Sequence, residues 1–101
     1  MSEAKAFVIV QIEVHDWDGY QQYGSAPHQE IFDKFGATVV GLDEAVDVVE
    51  GTWPFTRTVL IAFPSKAMAR AWYESDEYRA VVGLRHGSAT SNLVIVGGYP
   101  G

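Results

Sequence analysis

The sequence contains no cysteine, which removes disulfides, thiolate nucleophiles and thiolate metal sites from consideration. Positive charge is scarce as well. Seven Lys and Arg stand against thirteen Asp and Glu, a formal net charge of -6. A surface of that sign repels phosphate backbones and anionic membranes, and no local basic cluster offsets it, so neither nucleic acid nor a membrane is an expected partner. There is no long hydrophobic run either. The opening MSEAKAFVIVQIEV carries one Lys, and its apolar stretch is broken by Gln11 and Glu13, which reads as a strand rather than a signal peptide or membrane span. A cytoplasmic location is expected. The three histidines, His15, His28 and His86, are far apart and show no ligand spacing. No GxSxG, P-loop or dinucleotide fingerprint occurs, and Gly97-Gly98 follows a strand without preceding a helix. Neither a metal nor a cofactor is expected.

What remains is an apolar-rich, moderately charged chain of 101 residues, 48% hydrophobic. That length suits one soluble globular domain over residues 1–101 with a modest core, since a chain this short buries about two-thirds of its unfolded surface. Residues 6 to 14 split by the two-residue period of a strand into an apolar face (Val8, Val10, Ile12, Val14) and a mixed one (Phe7, Ile9, Gln11, Glu13). The mixed face is what a strand lining a half-wet cavity would show. Asp16 is placed to cap a helix carrying Trp17, Tyr20 and Tyr23; Pro27 predicts a break near Ser25 to Pro27, and Gly36 a helix end. Short strand-like runs follow at 37–42 and 46–50, joined by Asp43-Glu44-Ala45, and a loop covers Gly51 to Thr56. Residues 57 to 63 read as a strand ended by Pro64. Ser65 caps a helix bearing Met68, Ala71 and Trp72, and Ser75 restarts it through Tyr78, Val81 and Val82 to about Arg85. A loop over Gly87 to Ser91 leads into the last strand, NLVIVGG.

Strand, helix, strand, repeated once, is the order of an α+β ferredoxin-like split βαβ sandwich with an antiparallel sheet. Right-handed crossovers put both helical segments on one face of that sheet. The other face would be bare, yet FVIVQIEV, TVLIAF and NLVIV are apolar on both sides. A two-fold homodimer, with two sheets facing each other to form a dimeric α/β barrel, resolves the conflict.

The run EGTWPFTRTVLIAFPSKAMARAWYESDEY, with Leu84-Arg85 and the closing LVIV, is embedded in a wider pattern. That pattern comprises Lys34-Phe35-Gly36, Glu50-Gly51, Trp53-Pro54, Arg57, Phe63-Pro64-Ser65, Ala71-Trp72-Tyr73, Ser75 and Glu77-Tyr78. Taken together it resembles the domain-of-unknown-function family numbered 1330, of the dimeric α/β-barrel superfamily. The resemblance spans nearly the whole chain. It implies a small dimeric barrel and no established activity. Members often have an acidic residue where this chain has Ala62, and another just before the last strand where it has Asn92.

Candidate chemistry follows from residue type. Arg57, at a strand mouth, can hold a carboxylate or enolate in bidentate geometry, or pair with Glu50 or another acid. Arg85 can serve the same anion or complement a helix C-terminus. Trp53 and Tyr78 are candidate ligand contacts; helix-spaced aromatics such as Tyr78 and Trp72 equally suit a core, whereas Trp53, in a loop, suits a pocket rim or dimer contact. Gln11 and Glu13 project to the mixed face of the first strand, where Glu13 is either a general base or a solvated strand-end acid. His28 is either an acid/base group beside the helix break or a solvated helix histidine. The expected function is binding of a small, partly apolar, anionic metabolite. The alternatives are a cofactor-independent enzyme of isomerase or monooxygenase type, by analogy with related barrels, and a non-catalytic structural or protein-interaction dimer.

Overall fold

A computed structural model describes residues 5–99. The chain runs β1 (Ala6–Val14), α1 (Trp17–Gly24), α2 (His28–Phe35), β2 (Thr38–Asp43), β3 (Arg57–Phe63), α3 (Lys66–Glu74), α4 (Asp76–Ser88) and β4 (Ala89–Gly97). The four strands form one antiparallel sheet in the order β2-β3-β1-β4. This is the ferredoxin-like arrangement: each half contributes one central and one edge strand, and each helical crossover skips a strand.

Local chemistry sets the joints. The Asp16 carboxylate accepts from the Gly19 amide at 3.2 Å and starts α1. Pro27, which has no amide to lose, stands at the N-cap of α2. Gly36 ends α2 with φ 69°, and a β-carbon there would lie 2.9 Å from the Pro64 ring, so both backbone sign and space require glycine. Ser75 closes α3 and opens α4: its hydroxyl donates to the Trp72 carbonyl at 2.8 Å and accepts from the Tyr78 amide at 3.1 Å. At the far end of α4, the Ser88 carbonyl accepts from the amides of both His15 and Asp16, at 2.8 and 3.0 Å, tying the exit of β1 to the entry of β4.

Three boundaries differ from the sequence expectation. The run at 46–50 is not a strand; after Asp43 the chain is irregular up to Arg57, and Val49 is 84% exposed. Its valines suit a pleated surface, but β2 is an edge strand and no neighbour offers them a ladder. Helix α4 continues to Ser88, whose hydroxyl donates to the Leu84 carbonyl at 2.6 Å. There is therefore no loop over 87–91, and β4 begins directly at Ala89.

The register sorts the sheet into two faces. Val8, Val10 and Ile12 of β1 stand beside Ile61, Val59 and Arg57 of β3. They face the helices, and the main core joins Val8, Ile61 and Phe63 to Ile31, Phe32, Ala69, Trp72, Tyr78 and Val82. Phe7, Ile9 and Gln11 pair laterally with Ala62, Leu60 and Thr58, and on the other side with Val96, Val94 and Asn92. No helix of the described residues covers this second face; Val94 is 52% and Val96 42% exposed. The described chain is accordingly thin, 16 Å in its shortest extent.

Candidate functional site

A cavity of about 230 Å³ lies between the inner face of the sheet and the helices. Its floor is apolar: Val10 and Ile12 from β1, Val59 and Ile61 from β3, with Val39 and Leu42 from β2. The helices supply the rest at helical spacing. Tyr20 and Tyr23 come from successive positions on one face of α1, His28 and Phe32 from one face of α2, Trp72 from α3, and Tyr78 and Arg85 from α4 two turns apart. Arg57 enters from the start of β3. Among the described residues, no acidic side chain lines this cavity.

Its polar groups are organised around two tyrosines. Tyr23 Oη and Tyr78 Oη are 2.6 Å apart and share one hydrogen bond. Two hydroxyls carry two protons and this bond uses one, so the other proton remains for a guest acceptor. Burial pushes the Tyr78 hydroxyl far above the ordinary tyrosine range, and the neighbouring Tyr23 adds to the shift against the opposing pull of Arg85. Burial raises Tyr23 too, opposed by its bond to Tyr78 and by Arg85. Both rings are neutral donors at physiological pH. A proton held more tightly folded than unfolded destabilises the fold once the unfolded tyrosine begins to ionise, so stability should fall as pH rises above about 10. In an alkaline titration followed by tyrosinate absorbance, two of the five tyrosines are expected to ionise only as the protein unfolds. Smooth titration of all five in the folded state would contradict this.

Arg85 is the unusual group. It is 3% exposed, and no carboxylate among the described residues lies within ion-pair distance of it. Its Nη2 lies 3.5 Å from His86 Nε2; its guanidinium carbon sits 5.9 Å from the Tyr23 ring centre, close enough for the cation to act on the Tyr23 hydroxyl; and its Nε has no partner. The other unpartnered buried side-chain donor among the described residues is Trp72 Nε1, and Trp72 lines the same cavity. Arg57 contrasts with this. Its Nη1 pairs with Glu44 Oε1 at 2.8 Å, its Nε donates to Tyr20 Oη at 3.3 Å, and it lies 5.3 Å from the Tyr20 ring centre. His28 Nε2 donates to the Tyr23 carbonyl at 2.7 Å, since a carbonyl can only accept; in the neutral ring this leaves Nδ1 as an acceptor.

The profile of the domain-of-unknown-function family DUF1330 matches residues 5–99. The chain belongs to the DUF1330 family. Solved structures similar to this DUF1330 protein include the RPA0582 protein of unknown function from Rhodopseudomonas palustris, 17% identical with a TM-score of 0.75 over 98% of this chain and 85% of that one. A dimeric ferredoxin-like protein of unknown function from Jannaschia sp. CCS1 is 16% identical, with a TM-score of 0.63 over 95% and 99%. SnoaB, a cofactor-independent oxygenase from Streptomyces nogalater, is 8% identical, with a TM-score of 0.60 over 97% and 96%. No curated protein matches in sequence. At these identities the likeness establishes the ferredoxin-like fold and leaves chemistry to the site itself.

Of the residues singled out from sequence, the DUF1330 fold brings Arg57, Arg85, Tyr78 and His28 to one cavity. It places three elsewhere. Gln11 lies on the bare face, where its Oε1 accepts from Asn92 Nδ2 at 3.2 Å. Glu13 is exposed at the end of the same row, 3.8 Å from His15 Nε2. Trp53 donates from Nε1 to Thr58 Oγ1 at 3.0 Å, and Thr58 shares the Gln11 row of the sheet. The polarity of that row marks a face without a helix, not the wall of this cavity. Ala62 and Asn92, the two departures from the family pattern, also lie on the bare face. Tyr20 and Tyr23 also line the cavity, and the sequence alone does not mark them as ligand contacts. Their three-residue spacing marks a helix face, and only the packing of α1 against α4 shows that the Tyr23 hydroxyl reaches Tyr78.

Proposed function

We propose that this protein binds a small, partly apolar, anionic metabolite in the cavity between sheet and helices. The observation that carries the reading is Arg85, a buried guanidinium with an unsatisfied Nε and, among the described residues, neither a carboxylate partner nor an acid in the wall around it. An unpaired buried charge is costly, and a bound anion is the partner that removes the cost. The free proton of the tyrosine pair adds a neutral donor, while aromatic and branched aliphatic walls exclude water and hold an apolar body.

A shape-matched pair of probes tests this. Benzoate is expected to raise the melting temperature with the logarithm of its concentration above its Kd, whereas benzamide, isosteric and uncharged, is expected to leave it unchanged. Equal effects of the two, or no effect from benzoate, phenylacetate or hexanoate, would reject the reading.

A catalytic version has one observation in its favour: His28 lines the cavity, and its Nε2 is bonded to the Tyr23 carbonyl, an arrangement that in the neutral ring leaves Nδ1 as an acceptor. Exchange of a guest carbon-bound proton for deuterium, lost in His28→Gln with binding retained, is the expected signature of such an enzyme. Binding without exchange leaves a binding protein.

We further infer that the chain assembles as a two-fold homodimer through the bare sheet face, where Phe7, Ile9, Leu60, Val94 and Val96 form an apolar surface. Light scattering should give twice the 11.1 kDa chain mass, and the pair Val94→Lys and Val96→Lys should give monomer. A stable monomer of the unaltered chain at micromolar concentration would reject the dimer.

A further inference from the structure

Two arginines line the cavity, but they are not equivalent, and the difference bears on which anions fit. Arg57 carries a counter-charge: its Nη1 pairs with Glu44, and its Nε donates to the Tyr20 hydroxyl beside the Tyr20 ring. Arg85 has no counter-charge among the described residues. The wall therefore presents one uncompensated positive charge. We propose that the Glu44–Arg57 pair makes the site selective for singly charged, single-ring carboxylates over dicarboxylates, with Glu44 as the residue that sets this preference. The inference rests on the anion-binding role given to Arg85.

Size argues for one ring. A dry cavity of about 150 Å³ in another protein accommodates benzene; the present one, at about 230 Å³, accommodates a ring together with its carboxylate. The walls agree, since Tyr20, Tyr23, Phe32, Trp72 and Tyr78 offer ring faces and edges.

Charge argues for one carboxylate. Ile12 and Arg57 form a partition: both line the inner cavity, and both line a second pocket on its outer side whose wall includes Glu13 and Glu44. A guest anchored on Arg85 and carrying a second carboxylate towards Arg57 meets a guanidinium already paired with Glu44. That carboxylate loses its hydration and gains no free cation in return. The Glu44 side chain is 69% exposed, so its conversion to glutamine removes the charge at nearly constant volume without disturbing the core.

The test compares benzoate with isophthalate and terephthalate, whose second carboxylates stand at different separations from the first, by calorimetry at low ionic strength. The unaltered protein is expected to favour benzoate. In Glu44→Gln the affinity of at least one dicarboxylate relative to benzoate should rise about fivefold, the scale of one partly exposed charge pair, while benzoate itself changes less than about twofold. Arg85→Met separates the two layers of the argument. If benzoate binding depends on Arg85 but the dicarboxylate preference is the same in Glu44→Gln, the charge filter is wrong and the site stands. If benzoate fails to bind the unaltered protein, or binds Arg85→Met equally well, the site itself is wrong and the filter falls with it.

Discussion

Arg85→Met is expected to make the ligand-free protein more stable, by about 1–2 kcal/mol, while weakening benzoate binding by about tenfold to a hundredfold. The two effects share one cause. In the empty site the guanidinium is buried without a carboxylate, and methionine fills a similar volume with an unbranched apolar chain that requires no partner. Replacing buried ionic groups by packed apolar ones is commonly neutral or stabilising. The binding loss corresponds to removing charge-assisted hydrogen bonds worth about 1.5–3 kcal/mol. Urea unfolding reads the first effect as a higher midpoint at constant slope, and for a domain of this size it also appears as a melting temperature higher by about 4–8 °C per kcal/mol. Opposite signs for stability and binding mark a residue retained for a ligand. Destabilisation by more than about 2 kcal/mol would show instead that Arg85 holds Tyr23 and His86 in place as structure.

The largest loss of stability is expected at Trp72→Ala, about 3–5 kcal/mol, against a total of about 5–15 kcal/mol for a domain of ordinary stability. Trp72 is 2% exposed and its ring meets Tyr78 at 4.2 Å, Phe63 at 5.4 Å, and Phe32 and Tyr73 at 6.0 Å. Truncation removes the centre of that cluster and opens the space into the existing cavity, so neighbours have little to close against. Trp72→Phe keeps most of the packing and deletes an N–H that has no partner, so its cost should be much smaller. The difference in urea midpoints between the two variants checks the account. A cost below about 2 kcal/mol for Trp72→Ala would mean that the cavity collapses into the gap.

Most of the fold could be read from the sequence because its signals are local. The two-residue alternation of Val8, Val10 and Ile12, the hydroxyls of Ser65 and Ser75, Pro27 and Gly36 each act within a turn or two of the chain. The errors arose where a distant partner decides. Residues 46–50 have the composition of a strand and no neighbour to complete one. Gln11 and Glu13 read as the lining of a space on their own face, which a partner sheet would enclose, while the cavity between sheet and helices lies on the apolar side of the same strand. Arg85 was visible as a helix-end cation, but α4 continues three residues further to Ser88. Helical side chains lean back towards the N-terminus, so that extra length places the guanidinium alongside the helix rather than beyond it, facing Tyr23. No local pattern reports the meeting of Tyr23 with Tyr78 across 55 positions.

The junction at Ser75 has a mechanical side. One residue serving as the end of α3 and the start of α4 leaves no spare chain between them. Trp72 and Tyr78, one turn to either side, are thereby held as a single rigid block. The opposite wall is jointed differently: α1 and α2 are separated by Ser25, Ala26 and Pro27, and Gly24, at the end of α1, itself faces the cavity. The two walls of the enclosure thus differ in kind: α3 and α4 share a residue, whereas α1 and α2 are joined by a three-residue connector held by the bonds of Ala26 and His28 to the Tyr23 carbonyl.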